Sequence, residues 1–213
     1  HRYHDSVIEA KKIISSKKYG KILNFRGIYG KSMIVGHEGG WRSSKKESGG
    51  GILIDQGIHM LDLLLNFSSG FNEIYSFLSN NYWKYGVEDN AYVLMRNNKK
   101  QVAMIHSSAT EWRHKFRLEI TLEKALIELR GILSGTKSYG EEELVIIPKK
   151  YSKTGSLNYD SKKYLQDQSW DREVLMFENI ISSNIKKFDG NIDQALEVMK
   201  IIDKIYTLKK NSL

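Results

Sequence analysis

Residues 48–62 read SGGGILIDQGIHMLD, a run of glycines that opens directly onto an apolar helix. The helix carries two polar residues four positions apart, Asp55 and His59, and Asp62 follows three residues later. Side chains at positions i and i+4 lie on one helix face, about 5–6 Å apart at Cβ. Ionisable groups are rarely buried among apolar side chains unless they are paired. This row of three therefore predicts a functional site.

The rest of the composition is that of an ordinary globular chain. The 213 residues are 40% hydrophobic and 27% charged, which suits one domain with a sizeable core. Cysteine is absent, so a disulfide framework and thiolate chemistry are excluded. Charged residues interrupt the apolar stretches and no signal peptide is visible, so we expect a cytoplasmic protein without a membrane span.

A net charge of +8 and an isoelectric point of about 9.4 raise the question of a polyanionic partner. Nucleic-acid sites gather basic residues in one stripe with interleaved aromatics. Here the lysines are scattered in pairs such as Lys11–Lys12 and Lys99–Lys100. We interpret them as a solvated surface and expect no nucleic-acid partner. A steep loss of affinity with salt would indicate the opposite.

The hydrophobic spacing predicts an α+β fold. Apolar residues recur at helical spacing over residues 6–16, 51–66, 170–187 and 192–209. They alternate as in strands over residues 21–29, 74–82, 89–96, 101–108, 115–122, 125–129 and 144–147. Hairpin signals at 97–98 and 123–124 favour an antiparallel meander. We expect an open, predominantly antiparallel sheet with helices packed on one face.

We predict one domain over residues 1–213. It comprises a crossover segment and helix (1–20), the sheet with the helix 51–66 (21–148) and two C-terminal helices (170–209). Residues 30–51 are expected to form a long polar loop, and residues 149–168 show no clear pattern.

The glycines do not form a dinucleotide-binding motif. That motif needs Gly-x-Gly-x-x-Gly between a strand and a helix. Gly36–Gly40 lies in a polar loop and Gly49–Gly51 lacks the spacing, and no Gly-x-x-x-x-Gly-Lys-Ser/Thr pattern occurs. We therefore expect that these 213 residues do not bind a nucleotide through a standard loop.

The pattern Gly-Gly-Gly-x-x-x-Asp-x-Gly-x-His-x-x-Asp resembles the substrate-side catalytic helix of the Gfo/Idh/MocA family, named after glucose–fructose oxidoreductase, inositol dehydrogenase and a rhizopine-catabolism protein. Other segments match that family in order: His1–Tyr3, Tyr19–Ile22, Trp41–Arg42, Ala195–Val198 and Ile205–Tyr206. The resemblance covers nearly the whole chain but only the second half of the family's architecture. It implies a preceding Rossmann domain that is not within these residues.

The resemblance implies an NAD(P)-dependent oxidoreductase that transfers hydride between a nicotinamide and a sugar, polyol or nucleotide-linked sugar. His59 would be the general acid/base, since an imidazole with a pKa of about 6.5 suits proton transfer near neutral pH. Asp55 would be its partner and a substrate ligand. The chain alone is expected to be inactive, because NAD or NADP would be bound mainly by the absent domain.

The resemblance also implies secondary binding residues and an assembly. Asp62, Trp41 and Arg42 would contact substrate, and Arg2 and Tyr3 would border the nicotinamide. An apolar open sheet face is a partner surface, and the family commonly pairs sheets this way. We therefore expect a homodimer or homotetramer through the sheet face.

Plainer readings of the same residues remain open. His59 could be a satisfied core histidine, Asp55 could stabilise the helix N-terminus through the dipole, and Asp62 could make a structural hydrogen bond. The spacing of Asp55 and His59 also suits a metal, but two ligands are too few unless His37 and Glu38 join them, and we expect no metal.

A hydrolase site is disfavoured because the chain lacks the Gly-x-Ser-x-Gly elbow. The aromatic residues Tyr82, Trp83, Tyr85 and Trp112 are expected in sheet-face packing or an interface. The alternative function is a stand-alone, non-catalytic ligand-binding or dimerisation module of the same fold.

Overall fold

The computed structural model describes residues 1–33, 40–149, 159–183, 185 and 188–210. Within these ranges one eight-stranded sheet has the order β2-β3-β4-β1-β5-β6-β7-β8. The strands are β1 (Ile22–Gly30), β2 (Phe71–Ser79), β3 (Asn90–Asn97), β4 (Val102–Ser108), β5 (Lys115–Leu122), β6 (Ala125–Arg130), β7 (Glu142–Pro148) and β8 (Asp160–Tyr164). The predicted open, mostly antiparallel sheet is confirmed.

The first strand lies in the middle of the sheet. It pairs antiparallel with β5 and parallel with β4, so that Arg26 faces Glu119 on one side and Met104 on the other. It thereby joins one meander, β2-β3-β4, to a second, β5-β6-β7-β8. The sheet is therefore mixed, which the hairpin signals alone did not predict.

Five α-helices accompany the sheet in the described part of the chain: α1 (Asp5–Ser15), α2 (Lys45–Ser48), α3 (Ile58–Phe67), α4 (Ser169–Ser182) and α5 (Ile192–Lys210). Helices α1, α3 and α5 contact one face of the sheet. The apolar residues of α3 that are fully buried there are Met60, Leu61, Leu63 and Leu64. Each such side chain contributes about 1.5–3 kcal/mol by leaving water.

Helix α4 differs from the other long helices of the described residues because none of its apolar side chains is buried. Trp170, Phe177 and Ile181 are 72%, 64% and 66% exposed, and only Ser169 of this helix is buried. The helix ends at Ser182, five residues before the predicted end. None of the helices within the described ranges is long and apolar enough to cross a membrane.

Two polar regions contain structure that the sequence pattern did not predict. A 3₁₀ turn at Trp41–Ser43 and helix α2 lie inside the predicted loop 30–51. Strand β8 lies inside the patternless stretch 149–168 and is mostly exposed, so it shows no apolar alternation. Residues 34–39 and 150–158 lie outside the described residues.

The open face of the sheet divides into two halves. Five exposed apolar side chains on β2, β3 and β4 form what we term the apolar patch: Tyr75, Phe77, Tyr92, Leu94 and Met104. Arginine and glutamate alternate across β1, β5, β6 and β7 in what we term the ionic ladder: Arg26, Glu119, Arg117, Glu128, Arg130 and Glu143. The three arginines and three glutamates of the ionic ladder balance one another's charge, whereas the apolar patch is exposed to solvent.

Four aromatic residues lie in loops at one end of the sheet: Tyr82, Trp83, Tyr85 and Trp112. Tyr82 and Trp112 stand 4.9 Å apart between ring centroids and are both exposed. Trp83 donates its indole N–H to the carbonyl of Ala109 at 2.8 Å. The expectation of packing on the sheet face is wrong, since these residues belong to the loops after β2 and β4. The alternative, that they form an interface, stays a prediction.

Candidate active site

Within the glycine run, Gly51 lies against backbone that leaves no room for a side chain. A Cβ on Gly51 would lie 2.1 Å from the carbonyl oxygen of Glu88. The Glu88 carboxylate accepts the N–H groups of Gly51 and Leu53 at 2.9 and 3.1 Å, and the hydroxyl of Tyr206 at 2.7 Å. Free N–H groups at a helix start need such an acceptor. Glu88 therefore fixes where the helix begins.

The helix begins with a π-helical turn, Leu53–Gly57, before α3 continues it from Ile58. A Cβ on Gly57 would lie 2.6 Å from the hydroxyl oxygen of Ser107, so glycine lets the turn approach β4. Asp55 lies in the π-helical turn and His59 in the first turn of α3. Such π-helical turns are frequent at functional sites.

Asp55 contacts two cations. The ammonium of Lys31, whose side chain is only 4% exposed, contacts one carboxylate oxygen, and Arg42 Nε lies 3.5 Å from the other. The Arg42 guanidinium lies over the ring of Trp41 at 4.2 Å, within reach of a cation–π attraction. Trp41, Arg42 and Asp55 line a pocket of about 180 Å³.

His59 lies among rings and carboxylates. Its imidazole stacks on that of His1, with centroids 4.2 Å apart and planes 1° from parallel. Burial lowers the pKa of His59, and the negative charges of Asp55 and Asp62 oppose that shift. The imidazole is therefore neutral at pH 7, the form that accepts a proton.

A buried tyrosine, Tyr29, and a partly buried one, Tyr139, pack against each other near His59. Tyr29 lies 6.2 Å from His59 between ring centroids and bonds His1 Nε2 at 2.9 Å. Tyr139 donates its hydroxyl to Gln56 at 3.1 Å, and burial raises its pKa to about 12. Burial also raises the pKa of Tyr29. Both phenols stay protonated at neutral pH and can donate hydrogen bonds.

Asp62 lies at the other end of the row and is held by Arg2. The two side chains form a bidentate pair, with Nε–Oδ2 at 2.8 Å and NH2–Oδ1 at 2.6 Å. Arg2 also donates to the side chain of Gln194 at 2.5 Å. Tyr3 joins Arg2 and Asp62 in lining a groove of about 290 Å³ beside α4. The predicted site residues thus fall into two groups, one around Asp55 and one around Asp62.

No cluster of three or more histidine, aspartate and glutamate side chains that could hold a metal occurs in the part of the chain that the structure describes. His37 and Glu38, the residues that could have joined Asp55 and His59, lie outside that part.

Sequence reasoning missed Lys31, Tyr29, Tyr139 and Glu88. For Lys31 a signal existed: Phe25, Gly27 and Tyr29 are the buried residues at alternate positions of β1, and Lys31 is next in that series. No signal of this kind existed for Glu88, which lies far from the glycine run in sequence.

A family model described as the GFO/IDH/MocA C-terminal domain matches residues 7–128. The chain therefore belongs to the GFO/IDH/MocA family of NAD(P)-dependent oxidoreductases and represents its C-terminal domain. No curated protein sequence matches the chain.

Solved structures support the same fold at low sequence identity. An oxidoreductase from Desulfitobacterium hafniense, described as NADPH-dependent, superposes with a TM-score of 0.85 and 14% identity, over 100% of this chain and 61% of its own. Aldose-aldose oxidoreductase from Caulobacter crescentus, complexed with glycerol, gives 0.79 and 18%, over 100% and 60%.

A third structure, levoglucosan dehydrogenase with NADH and levoglucosan, gives a TM-score of 0.81 and 18% identity, over 97% of this chain and 61% of its own. The chain thus spans about 60% of the length of the structures it matches.

Proposed function

We propose that this chain is the substrate-binding and assembly domain of an NAD(P)-dependent oxidoreductase. Joined to a nucleotide-binding domain, it would oxidise a hydroxyl of a sugar, polyol or nucleotide-linked sugar, or reduce the corresponding carbonyl. Membership of the family supports this proposal. So does the likeness to a dehydrogenase that holds NADH together with a sugar derivative.

One observation carries the proposal: the partly buried imidazole of His59, whose pKa burial lowers, lies one helical turn from a carboxylate that is paired with a buried lysine. A neutral imidazole can take the proton of a substrate hydroxyl. The bond between carbon and hydrogen at that centre then breaks with its electron pair, and the carbon–oxygen bond becomes a carbonyl. Nicotinamide would supply the hydride acceptor. In the reverse direction protonated His59 would return the proton.

We propose that the carboxylate of Asp55 binds the substrate. It lines the 180 Å³ pocket with Arg42 and Trp41, where a carboxylate can accept hydrogen bonds from hydroxyls and an indole can pack against a sugar ring. We propose Arg42 and Trp41 as substrate ligands for these reasons.

The second group of residues has a supporting role in this proposal. Both oxygens of Asp62 are bound by Arg2, which favours a structural hydrogen-bond role for Asp62 over direct contact with substrate. Arg2 and Tyr3 line the groove beside α4 and are proposed to border the nicotinamide.

A second copy of the chain is the proposed partner of the open sheet face. The apolar patch has side chains up to 83% exposed, at Phe77. Exposed apolar surfaces of this kind mark interfaces. The self-neutralised ionic ladder beside it needs no opposite charge from a partner.

The test combines activity and binding. The longer protein, carrying this chain and a nucleotide-binding domain, is screened against polyols, aldoses and nucleotide-linked sugars with NAD and NADP, following reduced nicotinamide by absorbance. We expect turnover with at least one of these substrates. Calorimetry of the 213-residue chain should detect weak or no NAD(P) binding. Ligand binding without any turnover would instead favour the non-catalytic module.

A further inference from the structure

Lys31 is held in place by backbone on both sides. It directly follows β1, and its N–H donates to the carbonyl of Ser108 at 2.8 Å. Its own carbonyl accepts the N–H of Glu111 at 3.1 Å. The strand pairing therefore continues through Lys31, and its side chain has the same orientation as that of Tyr29, two residues before it. It enters the site from the sheet, opposite the helix that carries Asp55 and His59.

A buried ammonium is costly unless a negative charge balances it. The Lys31 side chain is 4% exposed, and its ion-pair partner is Asp55. Arg42 is 35% exposed and its Nε lies 3.5 Å from Asp55, so it is the weaker and more solvated partner. Lys31 is therefore the cation that balances the Asp55 charge inside the protein.

The charges around His59 divide into two pairs. Asp62 is neutralised by its bidentate contact with Arg2, and Asp55 is neutralised by Lys31. The other groups that face the imidazole are the stacked ring of His1, the chain's terminal amine and the phenol of Tyr29. If Lys31 lost its charge, Asp55 would act on His59 without a buried counter-ion.

We infer that Lys31 is a positioning residue of this site. Its ammonium fixes the Asp55 carboxylate in one orientation and balances its charge, so that Asp55 acts less strongly on the neighbouring His59. The consequence for catalysis rests on the proposed function, but the electrostatic coupling of Lys31, Asp55 and His59 does not.

The direction of the pKa shifts agrees with this geometry. Burial lowers the pKa of Lys31, and Asp55 opposes that shift. Burial lowers the pKa of His59, Asp55 raises it, and Lys31 lowers it again. Removing the lysine charge should therefore raise the pKa of His59.

The test is a proton NMR titration of His59 in the 213-residue protein. Lys31→Met should raise the pKa of His59, because Asp55 would then act on the imidazole without its balancing cation. Lys31→Arg keeps the charge and should shift it by less than half as much. Lys11→Met is the matched control, because Lys11 pairs with Asp189 on the protein surface. It should leave the His59 pKa unchanged.

An unchanged His59 pKa in folded Lys31→Met protein would overturn the inference. If that variant does not fold, Asp55→Asn gives a second measurement. With its lysines carrying ¹³C-methyl groups, the pKa of Lys31 should fall in Asp55→Asn because the balancing carboxylate is gone. A Lys31 pKa that does not fall would also overturn the inference. Neither titration depends on turnover, so a failure of the proposed function would be recognised separately.

Discussion

The two faces of the sheet are built by the same strands but hold different kinds of side chain. On the covered face of β1, Tyr29 is 5% exposed and lies against His59. On the open face, three residues earlier, Arg26 donates to Glu119 at 2.6 Å with its side chain 60% exposed. Polar groups on the covered face are few. On the open face, half-exposed arginines pair with largely buried glutamates, and the apolar patch is uncovered.

This difference shows that neighbouring residues of one strand can serve separate roles, one in the candidate site on the covered face and one in the proposed assembly on the open face. Side chains at alternate positions point to opposite faces. A substitution on one face should therefore change the chemistry or the assembly, but not both. The following predictions test that separation, from the largest effect to the smallest.

His59→Ala should have the largest effect. In the longer enzyme it should lower turnover by roughly 10²–10⁴-fold, as loss of a positioned base does, with cofactor affinity unchanged. The control is His106→Ala, which removes a histidine from the open face, where it stacks on Tyr92. That variant should keep normal turnover.

The pH profile gives a second readout of the same prediction. Because the pKa of His59 is lowered by burial, oxidation should fall off as the pH drops through a value below about 6.5, and this limb should vanish in His59→Ala. Near-normal turnover of folded His59→Ala would show that this histidine is a core residue.

Leu94→Glu should break the proposed assembly. Leu94 lies between Tyr75 and Met104 across three strands, so a charge there would be buried in the middle of the paired apolar patches. Losing about 2 kcal/mol of apolar burial should raise the dissociation constant by roughly 30-fold or more, measured by sedimentation velocity. Leu165→Glu, at an exposed position before α4, should leave association unchanged. A wild-type chain that remains monomeric at high concentration would refute the proposal.

Asp55→Asn should lower turnover by about 10-fold, less than the loss of a positioned base, because an amide still bonds a hydroxyl but carries no charge. Steady-state kinetics of the longer enzyme measure it. Asp62→Asn, on the same helix, should reduce turnover less and stability more, since it leaves Arg2 without its bidentate partner. The opposite ranking of the two variants in turnover would exchange their proposed roles.

Glu142→Gln tests a buried acid on the covered face. Burial opposes ionisation of Glu142, yet hydrogen bonds from His4 and Ser6 hold its pKa below the ordinary 4.5. A lowered carboxyl pKa contributes stability that is present above pH 4.5 and lost as the pH falls through the folded-state value.

Urea unfolding at neutral and acid pH measures this effect. Glu142→Gln should cost about 1–2 kcal/mol at pH 7 and flatten the acid limb. Glu141→Gln, next to it but 62% exposed, should change little. Equal losses from the two variants would contradict this prediction.

Arg26→Gln should have the smallest effect. The Arg26 side chain is 60% exposed and Glu119 keeps a second partner in Arg117, so we expect a contribution of about 0–1 kcal/mol, as for solvent-exposed pairs. We expect unchanged turnover and a change of less than about 1 kcal/mol in the free energy of unfolding. A larger loss would show that the ionic ladder acts as a cooperative network.

Much of the fold followed from local pattern, because seven of the eight described strands and the long helices alternate apolar and polar residues at their proper periods. Strand β8 could not be predicted from local pattern, because an exposed edge strand buries no apolar face and so shows no apolar alternation. The central place of β1 did not follow either, since long-range pairing leaves no mark in a short window of sequence.

The candidate site divides in the same way. Asp55, His59 and Asp62 could be found because they interrupt one apolar helix. Lys31 and Tyr139 come from a strand end and a distant loop, and only the folded sheet brings them to that helix. The π-helical turn could not be predicted either, because its widening depends on Gly57 approaching Ser107 in β4.

The central position of β1 also constrains how the chain folds. Arg26 and Glu119 lie 93 positions apart in the chain and yet are cross-strand neighbours. Contacts between such distant segments slow folding, because a long loop must close at an entropic cost before the strand pairing can stabilise the chain. Neither meander can join the other until β1 has paired with both of them. Amide protons of β1 should therefore exchange only through global unfolding, whereas those of edge strand β8 exchange through local opening.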